Sequence, residues 1–577
     1  MKNLLLCLLL AGSVSLKAQV LDSLTVEKIM RDPKWMGVAP TNIEWDENSR
    51  NIYFNWNPEK TERDGLYQIT TQNRNPEKVA DNIRRKLERG ALTYSSDRST
   101  VLFERNGDII LRNAVTGIEN LLINTVDRES NASFSKDESK VIFQRGDNLY
   151  TISIKDGALT QLSNFTRTKI RAEASLSKQN EWLKKDQLNE FDIIKKKDLD
   201  RKTAEKSRKD DAVKRPKEFY LDDRSTINWV RMSPDEKYIV FRIAKTPEGN
   251  KNIIVPNYVT ASGYTEDING RTKVGNAPTT FESYVYNIPG DSIYQISTKE
   301  IPGIKDLPDY VKDYPEQLAE HTKKNEDRKV SLTAPLWNLE GSHAIVTVTS
   351  LDNKDRWIMK LDEEGGKLSL LDRQRDEAWI GGPGINSFNG GNLGWIDNAT
   401  FYFQSELAGY SHLYTINVNT GEKKQLTSGN YEVQTLRLSN DKKSFYFTGN
   451  KEHPGITHFY RIPVSGGEPV KLTSMKGGNE VSISPDETWL AIRYSSANKP
   501  WELFLQENKP AAKAEQITKS VSEEFKSYRW KNPEMVSFKN RFGSDVYARI
   551  YKPEKADPSK PAVLFVHGAG YLQNVHY

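Results

Sequence analysis

One short pattern recurs along the chain and limits what the chain can fold into. It consists of an aromatic or apolar residue, serine, any residue and aspartate; three residues later an apolar strand begins. The spacing is regular, with 40 residues from Asp97 to Asp137 and 45 from Asp441 to Asp486. Five close and three looser copies, eight in all, begin at Trp45, Tyr94, Phe134, Met232, Trp337, Trp395, Leu438 and Ile483.

Most copies are followed by a second pattern, two alternating strands joined by a turn that contains glycine. Leu149–Ser163, Leu413–Ser428 and Phe459–Ser474 are examples. Turns of this kind between alternating apolar residues favour β-hairpins. Repeats of about 40 to 45 residues with several short strands each are typical of β-propeller blades. The sequence therefore predicts a mainly β fold, an eight-bladed β-propeller over residues 19–520.

Residues from about 166 to 218 form an insertion that is too long for one blade and is rich in Lys, Glu, Asp and Leu. Its apolar residues recur at roughly helical spacing, at Trp182, Leu183, Leu188, Phe191 and Ile194. This periodicity predicts an inserted helix or helical hairpin. The insertion is either a solvated arm or an element that binds substrate or a second subunit. A further insertion, around residues 306–328, also has a helical pattern.

The amino terminus predicts a secretory signal. Lys2 precedes an apolar run, Leu4–Leu10, that is too short to span a bilayer, and small and polar residues follow up to Ala18. We expect residues 1–18 to be removed and the mature protein to be periplasmic or secreted, without a membrane segment. The net charge of +5 over 577 residues, with both signs interleaved, does not favour nucleic-acid binding.

The pattern changes near the carboxyl end of the chain. Ala562–Val566 are all apolar, which favours a strand buried on both faces of a parallel sheet. The sequence His-Gly-Ala-Gly follows at His567–Gly570, at the carboxyl end of that strand, where ligands bind in open α/β sheets. Residues 521–577 are therefore predicted to begin an α/β domain.

Three features together resemble a known family: the Ser-x-Asp repeats, the charged helical insertion, and the sequence Lys-Pro-Ala-Val-Leu-Phe-Val-His-Gly-Ala-Gly-Tyr at 560–571. The chain resembles the prolyl oligopeptidase family of serine peptidases, and within it the dipeptidyl peptidase IV-like branch. Members join a β-propeller to an α/β-hydrolase domain and cleave peptides with a Ser-Asp-His triad, whose serine lies in Gly-x-Ser-x-Gly. The resemblance implies peptide substrates and no cofactor, and it leaves a homodimer of the full-length enzyme open. No metal-ligand spacing appears in the sequence.

The nucleophile motif of the family is absent, because no Gly-x-Ser-x-Gly occurs in the 577 residues. The nearest approach, Gly409–Leu413, lacks the final glycine and lies at the start of a propeller hairpin. We therefore expect a chain truncated early in the α/β-hydrolase domain, naturally or from an incomplete gene, and inactive as a peptidase on its own. The alternative is a non-catalytic periplasmic β-propeller that binds peptide or protein partners.

Few site residues of the family can be carried over to this chain. In the family the turn after the first central strand contributes to the oxyanion hole; here that turn holds His567, Gly568 and Tyr571, or it is only a tight turn. The paired glutamates that bind the substrate amine in the dipeptidyl peptidase branch are absent in their usual form. The insertion holds Glu173 and Glu181 instead. This leaves dipeptidyl, oligopeptidase and acylaminoacyl specificities open.

Overall fold

The computed structural model describes residues 24–87, 91–167, 177–210, 215–385, 390–566 and 573–577. Antiparallel strands dominate these residues, and helices are few. The chain forms two compact units. The first contains Met1–Leu87 and Thr427–Tyr577, and the second contains Glu88–Leu426.

Eight antiparallel sheets follow one another along the chain, and we call them blades 1 to 8. Blade 1 contains β1 (Thr41–Trp45), β2 (Asn51–Trp56), β3 (Gly65–Thr70) and β4 (Glu77–Lys78). Blade 2 contains β5 (Thr93–Tyr94), β6 (Thr100–Arg105), β7 (Asp108–Asn113) and β8 (Glu119–Ile123). Blade 3 contains β9 (Glu129–Phe134), β10 (Lys140–Arg145), β11 (Asn148–Ser153) and β12 (Leu159–Gln161).

Two short pairs of strands interrupt this series around blade 4. Before blade 4, β13 (Asn164–Thr166) and β14 (Glu218–Tyr220) pair in parallel. Within blade 4, an inserted hairpin separates the second strand from the third. In chain order these strands are β15 (Ser225–Met232), β16 (Tyr238–Lys245), the hairpin strands β17 (Asn252–Asn257) and β18 (Glu266–Thr272), β19 (Thr280–Asn287) and β20 (Ser292–Gln295).

The remaining blades complete the series. Blade 5 contains β21 (Val330–Leu332), β22 (Leu336–Trp337), β23 (Ala344–Ser350), β24 (Asp355–Asp362) and β25 (Lys367–Arg375). Blade 6 contains β26 (Gly394–Trp395), β27 (Thr400–Ser405), β28 (His412–Asn417) and β29 (Lys423–Gln425). Blade 7 contains β30 (Val433–Leu438), β31 (Ser444–His453), β32 (Ile456–Pro463) and β33 (Val470–Lys471). Blade 8 contains β34 (Gly478–Ile483), β35 (Trp489–Ser496), β36 (Lys499–Glu507) and β37 (Glu515–Gln516).

The eight blades confirm the predicted fold class, a mainly β chain with an eight-bladed β-propeller. Blades 1, 7 and 8 belong to the first unit, and blades 2 to 6 belong to the second. Each of the eight repeats found in the sequence begins at the last residue of a strand in a different blade and leads into the next strand of that blade.

The helices lie outside the blades. They are α1 (Val26–Ile29), α2 (Asp81–Leu87), α3 (Lys178–Glu190), α4 (Asp192–Asp210), α5 (Pro315–Lys324) and α6 (Glu523–Ser527), with 3₁₀ turns at Pro33–Met36 and Asp309–Asp313. The pair α3 and α4 confirms the predicted helical hairpin, and α5 lies in the second predicted insertion. Among the described residues, no helix combines the length and the apolar character needed to cross a bilayer.

The second strand of a blade is buried on both faces, which explains its run of apolar residues. In β16, Ile239, Val240 and Phe241 are all less than 2% exposed. Neighbouring residues of a strand point to opposite faces. Val240 accordingly packs in a core with blade 5, while Ile239 and Phe241 pack in a core with blade 3. A strand covered on both sides loses the alternation of polar and apolar residues.

The Ser-x-Asp motif forms the turn between the first and second strands. In blade 4, Ser233 Oγ donates to Asp235 Oδ1 over 2.6 Å and accepts the N–H of Tyr238 at 3.0 Å. Glu236, at the apex, has a φ of 58°, and the Lys237 N–H donates to Asp235 Oδ1 at 3.3 Å. The side chains thus pair backbone groups that the tight bend leaves free. The serine makes the same two bonds in blades 2, 3, 7 and 8, at Ser95, Ser135, Ser439 and Ser484.

These hydrogen bonds favour the ionised form of each aspartate. Bonds from Ser135 and Ser139 lower the pKa of Asp137 to about 2. The pKa is also below its ordinary value at the other four close copies, at Asp97, Asp235, Asp441 and Asp486. The carboxylates therefore remain acceptors for the turn at any pH near neutrality.

The three looser copies make the same kind of turn without the serine. Asp397 Oδ1 accepts two backbone N–H groups, from Ala399 at 2.8 Å and Thr400 at 2.7 Å. Asp46 Oδ1 accepts the Arg50 N–H at 2.7 Å in blade 1. Asn338 has the same role in blade 5, where its Oδ1 accepts the N–H of Ser342 at 2.9 Å.

The predicted strand at Ala562–Val566 is wrong for this structure. After the antiparallel pair β38 (Glu534–Lys539) and β39 (Asp545–Ile550), residues 561–566 belong to no helix or strand. The side chains from Val563 to Val566 are at least 76% exposed. A strand buried on both faces requires a neighbouring strand and a covering layer on each side, and the described residues after β39 supply neither. The predicted signal peptide, residues 1–18, lies outside the described residues.

Candidate functional site

A fully buried carboxylate lies where β23 turns into β24. Asp355, the first residue of β24, binds three guanidinium groups: Arg328 Nη2 at 2.7 Å, Arg373 Nε at 2.8 Å and Arg375 Nη1 at 2.7 Å. The register of the sheet explains this meeting. Asp355 lies opposite Arg375 and Trp357 lies opposite Arg373, so all four side chains share one face.

Three further carboxylates surround the arginines. Asp306 binds Arg373 at 2.7 Å, Glu377 binds Arg375 at 2.6 Å and Asp352 binds Arg328 at 3.3 Å; these acids are 31 to 50% exposed. Burial lowers the pKa of Arg373, but the hydrogen bonds and charges of Asp355 and Asp306 raise it further, so that the pKa lies above its ordinary value. The cluster therefore keeps three positive charges and presents carboxylates at its solvent edge.

The opposite face of the same sheet carries a second polar group, around Arg356. This side chain is 1% exposed, and burial lowers its pKa to about 10. Its guanidinium donates to Gln374 Oε1 at 3.0 Å and to two main-chain oxygens, Gln404 O at 3.0 Å and Gly390 O at 2.6 Å. Within the described residues, Arg356 Nε has no partner. Arg356 thereby ties blade 5 to blade 6 and to the glycine-rich connection between them.

Glycines in that connection allow a close approach to β27. Gly382 and Gly384 have φ of 118° and 70°, and a Cβ at either position would collide with Glu406 or Gln404. Ser411, the serine of the Gly409–Leu413 stretch, is fully buried beside them. Its Oγ donates to Pro383 O at 2.6 Å and accepts from Gln404 Nε2 at 3.0 Å. This hydroxyl is part of the packing and is closed off from a substrate.

Only one of the predicted site residues, Glu181, lies within the described part of the chain. Glu181 lies in the first turn of α3 with its side chain exposed. Glu173 and the turn with His567, Gly568 and Tyr571 lie outside the described residues. Within those described residues, no group of three or more histidine, cysteine or acidic side chains is arranged to hold a metal ion.

A cavity of about 220 Å³ lies next to the Asp355 cluster, between blades 4 and 5. Arg328 belongs to both, since it binds Asp355 and also lines the cavity. Glu282, Asp327 and Lys329 provide further charge on the cavity wall. Guanidinium groups donate to carbonyl and carboxylate oxygens, and the acids accept from amines. The cavity wall therefore carries charges of both signs.

Comparison with known proteins points to one family. Residues 217–501 match the model of the dipeptidyl peptidase IV (DPP IV) N-terminal region. Dipeptidyl peptidase 4 of Trichophyton equinum is 25% identical over 219 residues, which are 36% of this chain and 28% of that protein. Dipeptidyl peptidase 4 of Arthroderma otae is 24% identical over 221 residues, which are 37% of this chain and 28% of that protein. The chain thus spans about 28% of the length of these curated relatives.

A solved structure shares the fold. The crystal structure of Porphyromonas gingivalis dipeptidyl peptidase 4 superposes with a TM-score of 0.54 and 17% identity, covering 93% of this chain and 68% of that chain. At this identity the likeness establishes the arrangement of blades, and the residues of a site have to be argued from the chain itself.

We expect Asp355→Asn to lower the free energy of unfolding of the second unit by about 3–5 kcal/mol, because three guanidinium groups lose their shared buried carboxylate. Asp306→Asn is the matched control. Asp306 binds only Arg373 and is half exposed, so its loss should cost no more than about 1 kcal/mol. Urea unfolding of both variants measures the difference, and equal effects would contradict the central role of Asp355.

Proposed function

We propose that the chain belongs to the dipeptidyl peptidase IV-like family and is the propeller portion of an exported serine peptidase of the prolyl oligopeptidase family that acts on oligopeptides. The observation that carries the proposal is the match of residues 217–501, from blade 4 into blade 8, to the DPP IV N-terminal region. Export rests on the apolar run Leu4–Leu10 after Lys2, which favours cleavage of residues 1–18 and a periplasmic or secreted location.

In this proposal the propeller admits and binds the peptide. The part-exposed carboxylates Asp306 and Asp352 at the edge of the Asp355 cluster are candidates for binding a free amine, and Lys329 on the wall of the neighbouring cavity is a candidate donor to a peptide oxygen. Glu173 and Glu181 of the insertion are further candidates for binding the substrate amine. Such contacts position a substrate and leave bond cleavage to other residues.

Catalysis would require residues that these 577 do not contain. No Gly-x-Ser-x-Gly is present, and a general base must lie within hydrogen-bond reach of its nucleophile. In the proposed domain arrangement, residues 521–577 begin the α/β-hydrolase domain. The turn with His567, Gly568 and Tyr571 would then contribute to its oxyanion hole.

We expect the 577-residue chain to remain unlabelled by a fluorophosphonate probe and to release no chromophore from peptide p-nitroanilides. A longer chain that includes the downstream reading frame should be labelled and should cleave these substrates. Replacing its elbow serine by alanine should abolish both signals, which makes this variant the matched control. Labelling of the 577-residue chain, or inertness of the longer one, would contradict the peptidase assignment; inertness of both favours the alternative, a non-catalytic periplasmic propeller.

A homodimer is a further part of the proposal, and the hairpin β17–β18 supports it. Its residues Val255 and Ile268 form a cross-strand pair, and both are at least 50% exposed. Tyr258 and Val259, in the connection, are 76% and 90% exposed. Among the described residues β17 and β18 pair only with each other, so their outer edges are unpaired. Exposed apolar strands of this kind mark association surfaces.

If this hairpin holds the dimer, Val255→Glu combined with Ile268→Glu should convert a dimer to a monomer, because two charges would be buried at the contact. Light scattering after size exclusion measures the mass. Leu407→Glu is the control, since Leu407 is 71% exposed in the turn between β27 and β28. A wild-type monomer, or a dimer that survives the double substitution, would remove this part of the proposal.

A further inference from the structure

Residues 575–577 lie in a groove on the first unit. The Tyr577 N–H donates to Gly455 O at 3.2 Å, and the Ala497 N–H donates to Tyr577 O at 2.9 Å. Gly455 belongs to the turn between β31 and β32, and Ala497 belongs to the turn between β35 and β36. One residue of extended chain is thus held by its main chain from two blades, as an added strand would be.

The Tyr577 side chain has a pocket of its own. Its ring meets the ring of His453 edge to face, with centroids 4.9 Å apart, and Lys476 Nζ lies 3.7 Å from its centroid. A cation over an aromatic ring at this distance is attractive. His453 also meets the ring of Tyr547 in β39, at 5.0 Å, so it is enclosed by two tyrosines.

His453 acts in this pocket as a neutral ring. Burial, together with the nearby charge of Lys476, lowers the pKa of His453. Its Nδ1 accepts the N–H of Gly455 at 3.0 Å, which requires an unprotonated nitrogen. The bond fixes the turn that presents Gly455 O to Tyr577.

The close approach of residues 575–577 to the turn requires a glycine at position 455. A Cβ at Gly455 would collide with Val575 O and lie 3.2 Å from His576 Cα. The φ of Gly455 lies outside the left-handed region, so the backbone itself would accept alanine. The groove is therefore shaped to let a peptide main chain pass directly against the turn.

A larger cavity, of about 540 Å³, adjoins the groove. Met475 and Asn498 line it, and they are the sequence neighbours of Lys476 and Ala497 in the groove. Its wall combines aromatic residues with polar and charged ones, and cavities of this size hold peptide side chains or small ligands. The aromatic residues of the wall are Tyr494, Phe504, Phe525 and Trp530.

We propose that the turns of blades 7 and 8 form a binding site for an extended peptide segment that carries an aromatic side chain, with Val575–Tyr577 as its occupant in cis. The site fastens the chain that follows β39 to the first unit. It stands apart from the proposed peptidase function, because it requires no catalytic residue.

The first test compares two neighbouring substitutions in the 577-residue chain. Tyr577→Ala should abolish hydrogen-exchange protection at residues 573–577 and reduce it at the turn around Ala497. His576→Ala is the matched control, since the side chain of His576 is exposed and should leave protection unchanged. Retained protection in Tyr577→Ala, or equal loss in both variants, would overturn the proposal.

The second test is a double-mutant cycle between the groove and its occupant. Gly455→Ala should release the segment in the full chain, with the same loss of protection near Ala497 as Tyr577→Ala. In a chain lacking residues 573–577, Gly455→Ala should change neither that protection nor the melting temperature, because nothing remains to collide with the methyl group. A loss of similar size with and without the segment would show that Gly455 serves the turn alone and would contradict the proposal.

The third test fills the groove in trans. The chain lacking residues 573–577 should bind the amidated peptide Asn-Val-His-Tyr saturably in calorimetry and should not bind Asn-Val-His-Ala. The 577-residue chain should bind the first peptide more weakly, because its own segment competes. Equal binding of both peptides, or no binding of either, would contradict a site specific for an aromatic side chain.

Discussion

The packing of blade 1 against blade 8 is the contact on which the first unit depends. No strand is exchanged between these blades: blade 1 is built from residues 41–78 and blade 8 from 478–516. Packed side chains join them, in a core where Ile52 and Phe54 contact Leu503 and Leu505. Two hydrogen bonds mark the same boundary, from Trp45 Nε1 to Ser482 O at 3.1 Å and from the Asp486 N–H to Ser49 Oγ at 2.9 Å. The first and last repeats of the chain are therefore held together by the hydrophobic effect and by a few polar bonds.

The Ser-x-Asp turn links the local sequence to this packing. The residue after the aspartate, which has a positive φ, lies beside the turn of the preceding blade. Glu138 of blade 3 accepts the Ser96 N–H of blade 2 at 2.6 Å, and Glu487 of blade 8 accepts the Asn440 N–H of blade 7 at 2.8 Å. In blade 1 the residue with a positive φ is Ser49, three residues after Asp46, and its Oγ accepts the Asp486 N–H of blade 8. One motif of a few residues thus shapes the turn within a blade and sets the contact to the next blade.

The repeats could be predicted because a second strand that is buried on both faces has a run of consecutive apolar residues, as at Ile239–Phe241. The Asp355 cluster could not be predicted from the sequence, because charged residues in a strand ordinarily indicate a solvated face. Only the register of the sheet shows that Arg373 and Arg375 both bind one carboxylate. The prediction of a buried strand at Ala562–Val566 was wrong because an apolar run is buried only where neighbouring elements cover it. Glu181 lies exposed on its helix, because periodicity predicts that a helix exists and says little about where its polar face points. The groove for Tyr577 joins two turns that are 42 residues apart, at Gly455 and Ala497, and Tyr577 lies 80 residues beyond the second turn, so no local sequence pattern predicts the groove.

The chain forms an eight-bladed propeller similar to the dipeptidyl peptidase IV N-terminal region, and side-chain packing joins its first and eighth blades. Hydrogen exchange followed strand by strand in Trp45→Ala tests directly whether blades 1 and 8 hold each other in place. We expect β1–β4 and β34–β37 to lose protection together and to the same extent, because the substitution opens their shared core. Exchange confined to β1–β4, with wild-type protection in β34–β37, would contradict it.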